Sequence, residues 1–268
     1  MKGIIGAIVG NSVGRQYAVK PTKDYYFKMN YDKTNAGDDS IAIIATADWL
    51  MTTNHTKDEY IDKLHYWCDK YNYGLWHYEI STKFKEWVKN KDREPYNSYG
   101  NGSAMRVIPV GWYSDDLEEC LKLAKITAEV THNHPEGIKG AQAVTAIIWA
   151  IRHGHSKNDI KKWIEEEFGY DLSKSYYNMK KCHVYESICQ VAIPAAFTCW
   201  FEGKSFEDVI RKAVSLGGDA DTEAAIAGAF AAADPKTEAD DDLVFDLTRF
   251  FPMDFMDIFK KFHEKYEK

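Results

Sequence analysis

Gly217-Gly218-Asp219-Ala220-Asp221-Thr222-Glu223-Ala224-Ala225-Ile226-Ala227-Gly228-Ala229-Phe230-Ala231-Ala232-Ala233 is the stretch on which the fold turns. From Ala224 to Ala233 it is apolar nearly all round, and a helix of that kind belongs at the centre of a bundle. Far away in the chain, Gly3, Gly6, Gly10 and Gly14 can share part of one helical face. Small residues there let another helix approach closely. These two segments are the expected core around which the other helices pack.

Helical periodicity dominates the rest. Phe206, Val209, Ile210, Ala213 and Val214 form one apolar stripe, and Leu117, Leu121, Ala124 and Ala128 a second. Ala141, Val144, Ile148 and Ile151 form a third, and Ile61, Leu64, Cys68 and Tyr71 a fourth. Alternating runs of strand length are scarce. The expected class is all-α, a single compact, orthogonal multi-helix domain over residues 1–268 with a central apolar helix. Asp234-Pro235 and the acidic run 238–242 read as a turn and a solvated stretch. Residues 243–268 read as one or two closing amphipathic helices.

At 268 residues the chain can bury a core without disulfides or a structural metal. Its net charge of −7 argues against a general nucleic-acid binder. Five cysteines at irregular spacing, with no C-x-x-C, read as free thiols in a reducing compartment. The apolar N-terminal stretch is punctuated by glycines and by Asn11, and reads as mature structure rather than a targeting segment. No apolar run approaches the roughly 20 residues that span a bilayer. The expectation is a cytoplasmic protein with no membrane partner.

Four segments carry candidate chemistry. Asp38-Asp39 opens the apolar run Ile41-Ala42-Ile43-Ile44-Ala45. Helix capping explains such acids. Yet so apolar a helix should be deep, and buried carboxylates need a cation or donors. Asp219, Asp221 and Thr222 put two carboxylates and a hydroxyl at another helix start, after two glycines. Oxygen donors of this type suit Mg²⁺ or Mn²⁺ rather than Zn²⁺. Gly100-Asn101-Gly102-Ser103-Ala104-Met105-Arg106 is a small-residue loop that lets a ligand approach the backbone, or simply a turn. Thr131-His132-Asn133-His134-Pro135-Glu136 precedes a helix whose first turn holds Pro135. Ligand lining and plain capping explain its histidines equally well. The many tryptophans and tyrosines between Tyr60 and Tyr99 fit buried helix faces more simply than a recognition surface.

Taken in order, 3–10, 38–40, 100–106, 131–140 and 217–228 resemble the ADP-ribosylglycohydrolase family, the group of the dinitrogenase-reductase-activating glycohydrolase. The resemblance implies an all-helical fold around two divalent cations, Mg²⁺ or Mn²⁺. It implies hydrolysis of the bond between ribose C1″ of ADP-ribose and an acceptor. The partner would be ADP-ribose or an ADP-ribosylated protein or small molecule, ADP-ribosyl-arginine among them. By motif matching, Asp38, Asp39, Asp219, Asp221 and Thr222 are expected metal ligands, with Asp38, Asp39 and Asp219 the catalytic acids. Ser98, Tyr99, Gly100, Asn101, Gly102, Ser103, Met105, His132 and His134 are expected around ADP-ribose.

Two positions depart from the family pattern. Gly37 stands where a Thr or Ser usually precedes the paired acids, so a hydroxyl is missing. Ala18 stands where many members carry a Glu after Gly14-Arg15-Gln16-Tyr17, and Asp24 is an acid near enough in sequence to substitute. These departures keep two alternatives open: a hydrolase of another small glycoside, and a weakly active ADP-ribose-binding domain.

Overall fold

The computed structural model describes residues 3–29, 37–71, 81–237, 241–249 and 251–267, without the side chains of Leu243 and Leu247. It is all-α: among the described residues no strand forms, and Gly100 and Ile188 make one isolated antiparallel bridge.

Two helices make the centre. α1 (Ile4–Arg15) is buried from Ile4 to Gly14, and all 14 residues of α13 (Ala220–Ala233) are buried. They form the most extensive helix pair in the molecule. The glycine stripe is the reason. A Cβ on Gly6 would strike Gly228 and Ala232, one on Gly10 the carbonyl of Ala224, and one on Gly14 the backbone of Ala220 and Asp221. Gly3 has a different task. It precedes α1 at φ 89°, pressed against Glu267, whose Oε1 accepts a hydrogen bond from Ile4 N at 2.7 Å. That carboxylate satisfies one of the free N–H groups at the start of α1.

The other helices wrap this pair. α2 (Asp38–Leu50) packs on α1 and on α3 (Lys57–Lys70). α3 starts with a full capping box between Thr56 and Glu59. α4 (Thr82–Lys89) follows, capped by Ser81. The short α5 (Gly102–Arg106) and α6 (Val110–Tyr113) lead to the hairpin of α7 (Leu117–Glu129) and α8 (Pro135–Arg152). α9 (Lys157–Phe168) ends at left-handed Gly169. α10 (Tyr176–Cys182), α11 (Cys189–Phe201) and α12 (Phe206–Ser215) return to α13, against which α11 and α12 pack.

The α12 stripe is buried at all five of its expected positions. In α3, Ile61, Leu64 and Cys68 are buried, while Tyr71 is the half-buried C-cap. In α8, Ala141, Val144, Ile148 and Ile151 are buried, but so are Ala143, Ala146, Ile147 and Ala150. That helix lies between α7 on one side and α11 and α13 on another. In α7 the buried face is Cys120, Leu123, Ala124, Thr127 and Ala128, so Leu117 and Leu121 lie at its edge. The closing segment is two helices, α14 (Asp241–Thr248) and α15 (Met253–Tyr266). Asp241 and Asp242 begin α14 rather than extending a loop. Residues 238–240 of the acidic run lie outside the described residues.

All five cysteines are free thiols, four of them buried. Among the described residues no helix is long and apolar enough to cross a membrane.

Candidate functional site

The N-termini of α2 and α13 open on one cavity of about 480 Å³, a volume suited to a small organic ligand. Asp38, Asp39, Asp219, Asp221 and Thr222 all line it. Asp39, Asp219, Asp221 and Thr222 are at most 7% exposed.

These acids do not behave as helix caps. Gly37 occupies the N-cap of α2, and Asp219, the N-cap of α13, makes no side-chain cap bond. Its Oδ2 instead accepts from Asn101 Nδ2 at 2.7 Å. Asp221 Oδ1 accepts from the neighbouring Thr222 N at 3.0 Å. Asp39 Oδ2 is buried with no protein partner. Burial, and then the charges of Asp38, Asp221 and Asp219, push the Asp39 carboxyl well above the ordinary range. Burial and Asp221 push Asp219 up in the same way. Like charges that raise one another's proton affinity are relieved by a cation, which becomes the largest local charge and keeps carboxylates ionised.

The donor set therefore has the chemistry of a hard-cation site: carboxylate oxygens, a hydroxyl and one orphaned carboxylate oxygen. The side chains are not drawn tightly together. Among the described residues no three Asp, Glu, His or Cys side chains are gathered closely enough to grip an ion.

Gly37 has a local explanation. A Cβ there would lie 2.7 Å from Asn11 Oδ1. That oxygen accepts from Gly37 N at 3.2 Å and from Ser40 Oγ at 2.7 Å. Asn11 of α1 thus fills the space a Thr or Ser side chain would need. Ala18 is half-buried just beyond α1. Asp24 does not replace the missing carboxylate: it is exposed, it bonds within its own turn, and it does not line the cavity.

The second wall is the 98–106 loop. Ser98, Tyr99, Gly100, Asn101, Gly102 and Met105 line the cavity. Ser103 does not: its hydroxyl donates to Gly137 O at 2.8 Å and ties the loop to α8. Arg106 is buried and donates to Thr127 O (2.6 Å) and Thr131 Oγ1 (2.7 Å), joining the loop to the end of α7. His132 lines the cavity, with Nδ1 2.7 Å from Thr131 Oγ1. Burial and the nearby Arg106 hold it well below the usual histidine range, so it is neutral at pH 7. His134 is elsewhere. Its Nδ1 accepts from Glu136 N at the start of α8, and its ring packs on Tyr99.

Further lining groups carried no signal in the sequence. Tyr185, Ser187 and Ile188 come from the α10–α11 connection, and Lys83 from α4. Phe84 and Tyr96 belong to the aromatic-rich stretch and line the cavity beside the expected Tyr99, whereas Tyr60, Trp67 and Trp87 of the same stretch are core. Composition marks such a stretch without telling which ring points where.

Fold and site together define an all-helical protein with an acid-lined ligand cavity built on two helix N-termini. The model of the ADP-ribosylglycohydrolase family matches residues 1–239, and the chain belongs to that family. An uncharacterized protein of Archaeoglobus fulgidus is 35% identical over 144 residues, spanning 48% of this chain and 47% of that protein. The chain thus matches under half the length of this relative. ADP-ribosylhydrolase ARH3 of Mus musculus is 22% identical, with 86% of this chain and 82% of that protein covered. Among solved structures, an ADP-ribosylglycohydrolase-related protein complex superposes with a TM-score of 0.76 at 18% identity, covering 98% of this chain and 95% of that one. That likeness establishes the fold.

Proposed function

We propose that the chain hydrolyses the bond between ribose C1″ of ADP-ribose and an acceptor, ADP-ribosyl-arginine being the first acceptor to try. The observation that carries this reading is the meeting of two acid pairs, half-buried Asp38 with buried Asp39 from α2 and buried Asp219 with Asp221 from α13, in one cavity where Asp39 Oδ2 has no protein partner. Asp38, Asp39, Asp219, Asp221 and Thr222 would hold two divalent cations, Mg²⁺ or Mn²⁺. Such ions orient ribose hydroxyls and make a bound water more acidic.

The chain's own groups do the rest. Asn101 fixes the Asp219 carboxylate. The Gly100–Gly102 backbone offers a surface that phosphates can approach closely. Neutral His132 contributes a polar edge without a charge. Tyr96 and Tyr99 offer faces for stacking. A carboxylate oxygen of the site not engaged by a cation takes the proton of the attacking water. The water oxygen bonds to C1″ as the bond to the acceptor breaks, through an oxocarbenium-like transition state. The acceptor leaves with a proton that balances the one the carboxylate took from the water, which restores the site to its starting state. The five free thiols support a reducing compartment such as the cytoplasm.

The test is incubation with ADP-ribosylated protein and Mg²⁺ or Mn²⁺, scoring free ADP-ribose. Release that survives the double substitution Asp219→Ala with Asp221→Ala would sink the assignment of these acids. Binding of ADP-ribose with no release from any linkage would favour a binding domain.

A further inference from the structure

Glu223 adds a second carboxylate, after Asp221, to the first turn of α13. Its side chain is wholly enclosed and does not line the cavity. It meets His183, whose Nε2–H donates to Glu223 Oε1 at 2.6 Å. Bare Gly218 makes room for them, since a Cβ there would lie 2.6 Å from Glu223 Oε1 and collide with the His183 ring.

His183 begins the connection that carries Tyr185, Ser187 and Ile188 into the cavity wall. Lys23 Nζ donates to His183 O at 2.8 Å and to Lys180 O at 2.9 Å, holding the root of the connection. At its far end Ser187 O accepts from Asn101 N at 3.1 Å. Asn101 Nδ2 in turn donates to Asp219 Oδ2, and Glu223 N donates to Asp219 O at 2.9 Å. The contacts close into a ring: Asp219, Asn101, Ser187, His183, Glu223 and back along α13.

Most links of this ring involve backbone or run along a helix. Two links are enclosed and run side chain to side chain, Asn101–Asp219 and His183–Glu223, and the second of them lies outside the cavity. A buried polar pair adds little net stability, because desolvation offsets its attraction. Here Glu223 Oε2 is left without a partner as well. What the pair supplies is a fixed position. We infer that His183 and Glu223 are positioning residues that hold the 183–188 wall in register with the Asp219–Asp221 acids. They set how much of the time the cavity is ready for substrate, without touching it. The inference rests on the hydrolase reading above for its kinetic consequence, but not for its structural one.

The experiment uses the full chain, with the conversion of ADP-ribosylated protein and amide hydrogen exchange as readouts. A wall in register one-tenth of the time raises KM about tenfold and leaves kcat nearly unchanged. His183→Ala should do this, with kcat within about threefold of wild type. It should also speed exchange of the Asn101 amide, held by Ser187 O, and of the Cys189 amide, held by Tyr99 O, about tenfold, as local opening does. His183→Asn, too short to reach Glu223, should behave the same way and serves if the alanine variant does not fold. His183→Gln keeps an N–H donor at the reach of Nε2 and should restore both KM and protection. Unchanged KM and exchange in His183→Ala and His183→Asn overturn the inference. So does a fall in kcat alone at constant KM, or a glutamine variant no better than alanine. If the wild type releases no ADP-ribose, the hydrolase reading fails. The exchange measurement then decides this inference by itself: protection lost in His183→Ala and regained in His183→Gln supports it, and unchanged protection refutes it.

Discussion

Gly14→Ala joins the packing of the core to the chemistry of the site. A Cβ at Gly14 would sit within 3.0 Å of Ala220 O and of Asp221 Cα. Neither atom belongs to a side chain that can rotate away. The helices would have to part by something on the order of 1 Å at the end of α13 that carries the acids. Overpacking of this kind costs about 3 kcal/mol, and the better helix propensity of alanine returns about 1 kcal/mol, leaving about 2 kcal/mol of destabilisation. For a chain of this size that corresponds to a Tm lower by roughly 4–8 °C. Gly6→Ala is the control. Its Cβ meets Ala232 and Gly228, toward the other end of α13. Both variants should lose similar stability in thermal or urea unfolding. Only Gly14→Ala should lose activity beyond its loss of folded protein, by about 10- to 100-fold, since a 1 Å misplacement in a site can be worth about 10² in rate. Wild-type Tm in Gly14→Ala would refute the packing argument. Equal activity in the two variants would refute the claim that α1 sets the position of Asp219 and Asp221.

Asp219→Ala should weaken Mn²⁺ binding by calorimetry at least tenfold, and Asn101→Ala by less, because Asn101 only orients that carboxylate. Gly37→Thr alone should destabilise by about 1–3 kcal/mol in urea unfolding, since its Cβ meets Asn11; pairing it with Asn11→Ala should recover part of that loss. The His263–Glu267 pair makes stability fall as pH rises. His263 is raised by its bond to Glu267, so its contribution is full below the unfolded value of 6.5 and is lost as pH climbs through the folded value. Glu267 is raised by burial, so its ionisation on the way up disfavours the fold too. The Tm of wild type should therefore drop more between pH 6 and pH 9 than that of Glu267→Gln, in buffers matched for ionic strength.

Much of this architecture is legible in the chain because it rests on local rules. The α12 stripe and the apolar run 224–233 follow helical period and composition, and the glycine stripe shows as spacing. Gly3 fits the same spacing but serves the start of α1, because its neighbour Glu267 is 264 residues away and no local pattern signals it. The α7 face is displaced from Leu117 and Leu121 toward Leu123 because Cys120 and Thr127 count as core once α8 covers them. In the site, the acids were readable as two pairs meeting apolar helices. The Tyr185–Ile188 wall was not, since nothing in Tyr-Glu-Ser-Ile distinguishes a cavity wall from a surface connection. Ser103 and His134 show the reverse: motif neighbours of lining residues whose side chains turn to bond a backbone instead.

The close packing of α1 on α13 also bears on how the chain becomes a protein. The partners that form the centre lie about 200 residues apart in sequence. At ribosomal speeds of about 5–20 residues per second, α1 is made roughly 10–40 s before the helix it must embrace. Until then its apolar surface has no matching groove, and the acid-bearing turn cannot be set. Such non-local pairing slows folding and lengthens the time an unpaired helix is exposed to aggregation. α1, whose packing sets the acid-bearing turn, thus stays unpartnered until α13 has been made.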